Sequence, residues 1–384
     1  MIQFLVLYPF ICVSTVAFSW QPLRQQPKRH SSPLFLSRLS SFDHVDWQSI
    51  LNDIATDIQP YLAKGKVASY IPALANVDPH QFGIAFTDIR GNTYKAGPSA
   101  DTPFSIQSIS KVFALVMALD LEGEALWKKV GREPSGGRFN SIVQLESEQG
   151  RPRNPFINAG AIAVTNSIQQ HYCSGSDSNN KEDDKKLYTR QYTHKTSPDE
   201  YNSIAINKIL DFLKTCAQTD QDIRIDPEVA RSEALFGDRN RALAYFMRSY
   251  GVVQGDIGQT LHTYFHQCAL EMSVTTLSKA GLFLAAAGQN PLAEDDGAML
   301  VTSHDHVDRV NSLMMLCGHY DMSGDFAFRV GLAGKSGVGG GILAVVPDVG
   351  TLAVWSPRLN KAGNSYAGTL ALEWFSGRTG VNLF

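Results

Sequence analysis

Apolar residues recur at helical spacing from Trp47 to Leu62, with Ile50, Leu51, Ile54, Ile58 and Leu62 on one face. The period then shortens. Phe82 to Thr87 and Thr93 to Ala96 flank a turn containing Gly91-Asn92 and read as a β-hairpin. Val112 to Leu119 is apolar on every face, the pattern of a buried helix. Between residues 140 and 320 the pattern is mostly helical. Ile206, Ile209, Leu210 and Leu213 form one stripe, Ile257, Leu261, Tyr264, Phe265 and Cys268 another, and Leu277 to Ala287 reads as a third helix ending at Gly288. Strands return at Gly341 to Val346 and Thr351 to Trp355, joined by a turn from Pro347 to Gly350. Strands at both ends with helices between predict an α+β domain: an antiparallel sheet built from N- and C-terminal segments, flanked by helices, with an inserted helical lobe. A cleft is expected between lobe and sheet. Residues 174–200 are polar and nearly free of aliphatics, and read as an exposed insert in that lobe.

Composition changes this picture in two places. The chain has 384 residues, 43% hydrophobic and 18% charged, with a formal net charge of -3, so nothing marks a nucleic-acid-binding footprint. Five scattered cysteines (Cys12, Cys173, Cys216, Cys268, Cys317) give no disulfide framework, and Cys268 and Cys317 fall in apolar helical patterns as packing residues. Residues 1–44 are different. Phe4 to Phe18 is almost wholly apolar, Gln21 to Phe42 is rich in Ser with Arg24, Lys28, Arg29 and Arg38, and no acidic residue precedes Asp43. That order reads as a cleaved leader, signal-like then transit-like, addressing a soluble 45–384 domain to a plastid or mitochondrion, with a secretory route as the alternative. The apolar run is short for a spanning helix, so the mature part is not expected to be embedded in a membrane.

Candidate chemistry centres on Gln107-Ser108-Ile109-Ser110-Lys111. Residues three apart share a helical face, so Lys111 can reach back to take the Ser108 proton. Ser108 at a helix N-terminus would also gain from the macrodipole and could offer its own N–H to an oxyanion. Lys111 must be neutral to act as a base, which requires burial or a neighbouring cation. A second S-x-x-K, Ser178 to Lys181, lies in the polar insert and shows how easily the spacing arises by chance. Gly334-Lys335-Ser336-Gly337-Val338 supplies the K-S-G segment that accompanies S-x-x-K in penicillin-recognising serine enzymes, with Val338 placed for a second oxyanion N–H. The third motif of that group, S-D-N or Y-x-N, is missing, so its intermediate general acid has no counterpart. His262 and His266 lack a third ligand, and neither a metal nor another cofactor is expected.

Further segments complete a resemblance. Gly65-Lys-Val-Ala-Ser-Tyr-Ile-Pro, Phe104 to Val112, Glu133-Pro-Ser-Gly-Gly-Arg-Phe-Asn, Arg153-Asn-Pro-Phe-Ile-Asn-Ala-Gly-Ala, Gly237-Asp-Arg-Asn, Tyr320-Asp-Met-Ser-Gly, Gly331 to Ile342 and Trp355 to Ser365 together resemble the serine-dependent glutaminase family over roughly residues 47–384. The resemblance implies a β-lactamase/transpeptidase-like fold and hydrolysis of L-glutamine to L-glutamate and ammonia through a γ-glutamyl-serine. It implies Ser108 as nucleophile, Lys111 as base, and an oxyanion held by Ser108 and Val338. Tyr264 and Tyr320 would deliver protons and position groups, while Tyr70, Gln107, Asn158, Glu233 and Asn240 would hold the substrate. It further implies a homo-oligomer, dimer or tetramer. The alternatives are an acyl hydrolase of the β-lactamase/transpeptidase type, against which the missing third motif speaks, and a silent binding protein on the same scaffold, against which Ser108 and Lys111 together speak.

Overall fold

The computed structural model of the chain describes residues 38–135, 142–174, 204–219, 221–293 and 299–384. The polar insert beyond Ser174, residues 1–37 and the end of the Glu133 motif lie outside the described residues. Among the described residues the strands are, in chain order, β1 (Gly83–Asp88), β2 (Thr93–Ala96), β3 (Phe104–Ser105), β4 (Arg224–Ile225), β5 (Leu270–Met272), β6 (Gln289–Asn290), β7 (Met299–Leu300), β8 (Ala333–Ser336), β9 (Gly341–Val346) and β10 (Gly350–Trp355). Five of them form an antiparallel sheet in the order β2-β1-β10-β9-β8, so N- and C-terminal segments meet as predicted at β1 and β10. The fold is α+β.

β1, β9 and β10 are buried at every position, because helices cover both faces. On β9, Ile342, Ala344 and Val346 face one apolar cluster, and Leu343 and Val345 face the other. The first cluster is built by the terminal helices Trp47–Asp57 and Tyr366–Thr379, whose Trp47 and Phe375 stack at 5.8 Å between ring centroids. The second belongs to the lobe, with the helix Ser110–Glu122 at its centre. That helix buries every residue from Ser110 to Leu119, which explains its lack of a polar face.

Local departures from the predicted elements have physical causes. The first helix stops at Asp57, and Pro60 lies in the 3₁₀ turn Gln59–Tyr61 that follows. The helix expected over 277–287 is two pieces, Val274–Ala280 and a 3₁₀ turn Leu282–Leu284, divided at Gly281. A Cβ at Gly281 would come 2.9 Å from Leu343 Cδ1, so the break lets this segment lie close against β9. Residues 38–44, grouped with the leader by composition, pack on the domain. Arg38 donates to the carbonyls of Pro347 (3.1 Å) and Asn382 (2.7 Å), Leu39 is buried, and Asp43 pairs with Arg90 at 2.9 Å. Among the described residues no helix is long and apolar enough to cross a membrane.

Candidate active site

Three segments converge where the sheet meets the lobe. The first is the start of the buried helix. Gln107–Ile109 forms a 3₁₀ turn that leads into Ser110–Glu122, so the earliest N–H groups, that of Ser108 among them, lie where a helix leaves donors unpaired. Gln107 has φ +49°, a strained left-handed conformation immediately before Ser108. The turn is tied down by Ser110 Oγ donating to the Gln107 carbonyl at 2.7 Å.

The second segment is the turn between β8 and β9. Gly337 N–H donates to Gly341 O (2.9 Å) and Gly340 N–H to Gly337 O (3.0 Å), and the Val338 N–H takes no part in either bond. A Cβ at Gly337 would lie 2.5 Å from the Ile106 carbonyl oxygen, and one at Gly339 would overlap the Ser105 carbonyl. The glycines of the K-S-G-V-G motif are therefore what allow this turn to lie against the backbone that carries Ser108.

The third segment is the 3₁₀ turn Tyr320–Met322, which opens with Tyr320 at φ +57°. The Tyr320 hydroxyl hydrogen-bonds the Ser108 side chain, which acts to lower its pKa, but burial outweighs that bond and holds the phenol above its usual range. The two strained non-glycine residues of the site, Gln107 and Tyr320, thus sit on either side of Ser108.

Lys111 is fully buried, and burial lowers its pKa to about 8, offset in part by Cys268 and Glu233. Its ammonium donates to Asn158 Oδ1 (2.7 Å) and to the Phe156 carbonyl (3.3 Å). Asn158 in turn donates through Nδ2 to Asn240 Oδ1 at 3.0 Å. Asn154 Oδ1 accepts from Phe156 N and Ile157 N at 3.0 and 3.1 Å and ties down the turn that precedes the helix Asn158–Ser174. The first residue of that helix, Asn158, holds the lysine.

Glu233 stands on the helix Pro227–Leu235. Burial raises its carboxyl to about 7, against the lowering effect of a hydrogen bond from Gln107 and of the Lys111 charge. Tyr264, on the helix Ile257–Cys268, lies with its ring centroid 6.0 Å from Lys111 Nζ, and its hydroxyl bonds the Cys268 thiol one turn on. Burial holds that thiol in its neutral form, in keeping with a packing role. Tyr70 is half-exposed because it lines the cleft, while its hydroxyl reaches a dense region beside Tyr320 and Glu233 and is raised by burial.

The cleft measures about 890 Å³ and is walled by Gly65–Tyr70, Tyr320, Val338 and Leu359–Gly363. Lys66 and Leu359 close one wall through a two-way backbone bridge of 3.0 and 2.8 Å. Ser108, Lys111, Glu233 and Asn240 are buried, and the Tyr320 wall reaches them through its bond to Ser108. Every residue that sequence singled out for the site is therefore brought into one neighbourhood, from seven separate stretches of chain. Lys335 is an addition. Sequence reading treated it as part of a glycine loop, yet its amine is fully buried and lies 4.8 Å from the Tyr320 ring centroid. Among the described residues no group of three His, Cys, Asp or Glu side chains is placed to hold a metal ion.

A buried serine beside a buried lysine whose amine is depressed suits acyl transfer, and comparison with known proteins agrees. The glutaminase family model matches residues 65–384. A glutaminase of Rhizobium rhizogenes is 51% identical over 340 residues, which span 88% of this chain and 99% of the relative. One from Rhizobium etli is 52% identical with the same coverage. Among solved structures, the probable glutaminase ybaS superposes with a TM-score of 0.73 at 35% identity, covering 88% of this chain and 98% of that one. A probable glutaminase from Bacillus subtilis, complexed with 6-diazo-5-oxo-L-norleucine, gives 0.71 at 28% identity, covering 88% and 98%. These relatives also correct one expectation. They are bacterial proteins, from cells without plastids or mitochondria, and the organellar destination read from residues 1–44 does not stand.

Proposed function

This chain belongs to the glutaminase family, and from that premise we propose how the residues around Ser108 hydrolyse L-glutamine. The enzyme is a glutamine amidohydrolase with a β-lactamase-like fold, yielding L-glutamate and ammonia. Neutral Lys111 takes the Ser108 proton as Oγ attacks the side-chain carboxamide carbon. The resulting oxyanion sits between the N–H groups of Ser108 and Val338, which are prepositioned and need no rearrangement. As the C–N bond breaks, the nitrogen leaves as ammonia with a proton from a tyrosine hydroxyl. Tyr320, already bonded to Ser108, is the nearer donor, and Tyr264 lines the lysine side. The γ-glutamyl-serine ester then yields to water. The water's proton restores the tyrosinate, and the Lys111 ammonium returns its proton to Ser108 Oγ. Charges balance over the cycle.

Glu233 pairs with the substrate ammonium. Asn240 keeps its own amide N–H groups for the substrate, since its Oδ1 is occupied by Asn158, and Gln107, Tyr70 and the remaining Asn158 N–H complete the pocket. The single observation that carries this reading is the Ser108 hydroxyl held between the Tyr320 phenol and the helix that carries buried Lys111. For assembly we infer a homo-oligomer, dimer or tetramer. Leu235, Phe236 and Tyr245, exposed at 68%, 61% and 58%, are apolar side chains that a second copy would cover, and light scattering of the pure protein checks it.

Ser108→Ala is expected to reduce ammonia release from L-glutamine by at least about 10⁴-fold while the fold melts normally. An acid-quenched wild-type turnover, read by mass spectrometry, should show a γ-glutamyl adduct on the Ser108 peptide. Turnover of a β-lactam or simple ester, with none of glutamine, would favour the acyl-hydrolase alternative instead.

A further inference from the structure

Two lysines are fully buried beside the nucleophile, and only Lys111 has a part in the reaction so far. Lys335 lies on β8, one residue before the strand gives way to the glycine turn. Its Nζ donates to the Gly318 carbonyl at 3.1 Å and to the Ser336 carbonyl at 2.5 Å. Those acceptors belong to different catalytic pieces. Gly318 leads into the strained residue Tyr320, while the Ser336 carbonyl opens the turn that presents Val338. The Tyr320 hydroxyl reaches the same Ser336 carbonyl at 3.4 Å. Phe156 stands between the two amines: its carbonyl accepts from Lys111, and its ring centroid lies 5.8 Å from Lys335 Nζ.

We propose that Lys335 is a positioning residue for glutamine hydrolysis, its amine strapping the Gly318–Tyr320 segment to the Ser336–Val338 turn so that proton donor and oxyanion donor meet at Ser108. This rests on the roles given above to Ser108, Tyr320 and Val338. Burial and the Lys111 charge push the Lys335 amine well below its ordinary range, which favours its neutral form. A neutral amine has two N–H groups, and both carbonyls are met. Arginine cannot replace it in this way, because a guanidinium stays charged.

The test is steady-state kinetics on Lys335→Met, Lys335→Arg and Ser108→Ala, each over a pH range and with a melting curve. Lys335→Met should lose kcat by about 10²-fold with KM within about threefold of wild type, and its pH profile should keep the wild-type ionisations. Lys335→Arg should also lose kcat, and its acid limb should move to lower pH, because a permanent cation disfavours protonated Lys111. A folded Lys335→Met with kcat within about threefold of wild type, or with a loss expressed only in KM, overturns the proposal. If Lys335→Met does not fold, an unmoved acid limb in Lys335→Arg overturns it. Turnover surviving in Ser108→Ala would sink the site reading itself, whereas loss there with Lys335→Met intact sinks only the strap.

Discussion

On the sheet side of the cleft, what is offered to a substrate is mostly backbone: the Val338 N–H, held in a turn whose glycines touch the Ser105 and Ile106 carbonyls. On the lobe side it is side chains, with Glu233, Asn158, Asn240 and Tyr264 reaching in from four helices. The two walls should therefore fail differently. Backbone donors act on the transition state and are set by close packing, so their disturbance appears in kcat. Charged and amide side chains grip the ends of glutamine in ground and transition state alike, so their loss appears first in KM.

The largest effect that separates the walls is expected at Gly337→Ala. Its Cβ would meet the Ile106 carbonyl at 2.5 Å and push the turn away from Ser108. Initial-rate assays should show turnover slowed by roughly two to three orders of magnitude, with KM little changed. A variant that lost only affinity would erase the distinction between the walls. Next is Glu233→Gln, which removes the partner of the substrate ammonium and should raise KM by roughly 10- to 100-fold, the worth of a hydrogen bond to a charged group.

The pH profile sharpens the lobe side further. In the proposed reaction Lys111 works as a base only when neutral, and that fraction rises as pH climbs through about 8. In the same reaction Glu233 would pair with the substrate ammonium only when ionised, and that fraction rises through about 7. Both requirements act in the same direction. Log kcat/KM should climb with a slope of about two below pH 7 and about one between the two values, then level off. Glu233→Gln should remove the lower step. Asn158→Ala takes away an acceptor that favours the lysine ammonium, so the upper step should move down by about 1 unit, with turnover slowed about tenfold. The smallest effect lies away from both walls. Starting the chain at residue 45 removes the Arg38 bonds and the buried Leu39, and should cost about 2 kcal/mol in denaturant unfolding without changing kcat/KM.

The same asymmetry governs what the amino-acid sequence made legible. The main sheet was readable because the Phe82 and Thr93 hairpin and the Gly341–Trp355 pair have long apolar runs bounded by turn residues. The three-stranded sheet β3-β5-β4 was not, since two- and three-residue strands carry no period. The helix Tyr366–Thr379 also escaped notice: apolar and small residues are spread around it, leaving little one-sided pattern. At the site, Ser108 and Lys111 are close in the chain and their spacing announces them. Glu233, Asn240 and Tyr264 come from distant helices, and only the resemblance to a family joined them. The K-S-G motif announced Lys335 but not the part proposed for it, which depends on two carbonyls, and carbonyls have no letter in a sequence.

Arg38 bonding the carbonyl of Asn382 brings the two extremities of the packed chain side by side, next to the Pro347 turn. That turn follows the last residue of β9, whereas the glycines that meet Ser108 precede its first. Six residues of extended strand span roughly 20 Å. In a chain trimmed to begin at Arg38, a short linker would join the two ends and a surface loop could be reopened, giving a circular permutant with the turn beside Ser108 intact. For the same reason, a domain fused after Phe384, two residues beyond Asn382, would attach about the length of β9 away from the turn that meets Ser108.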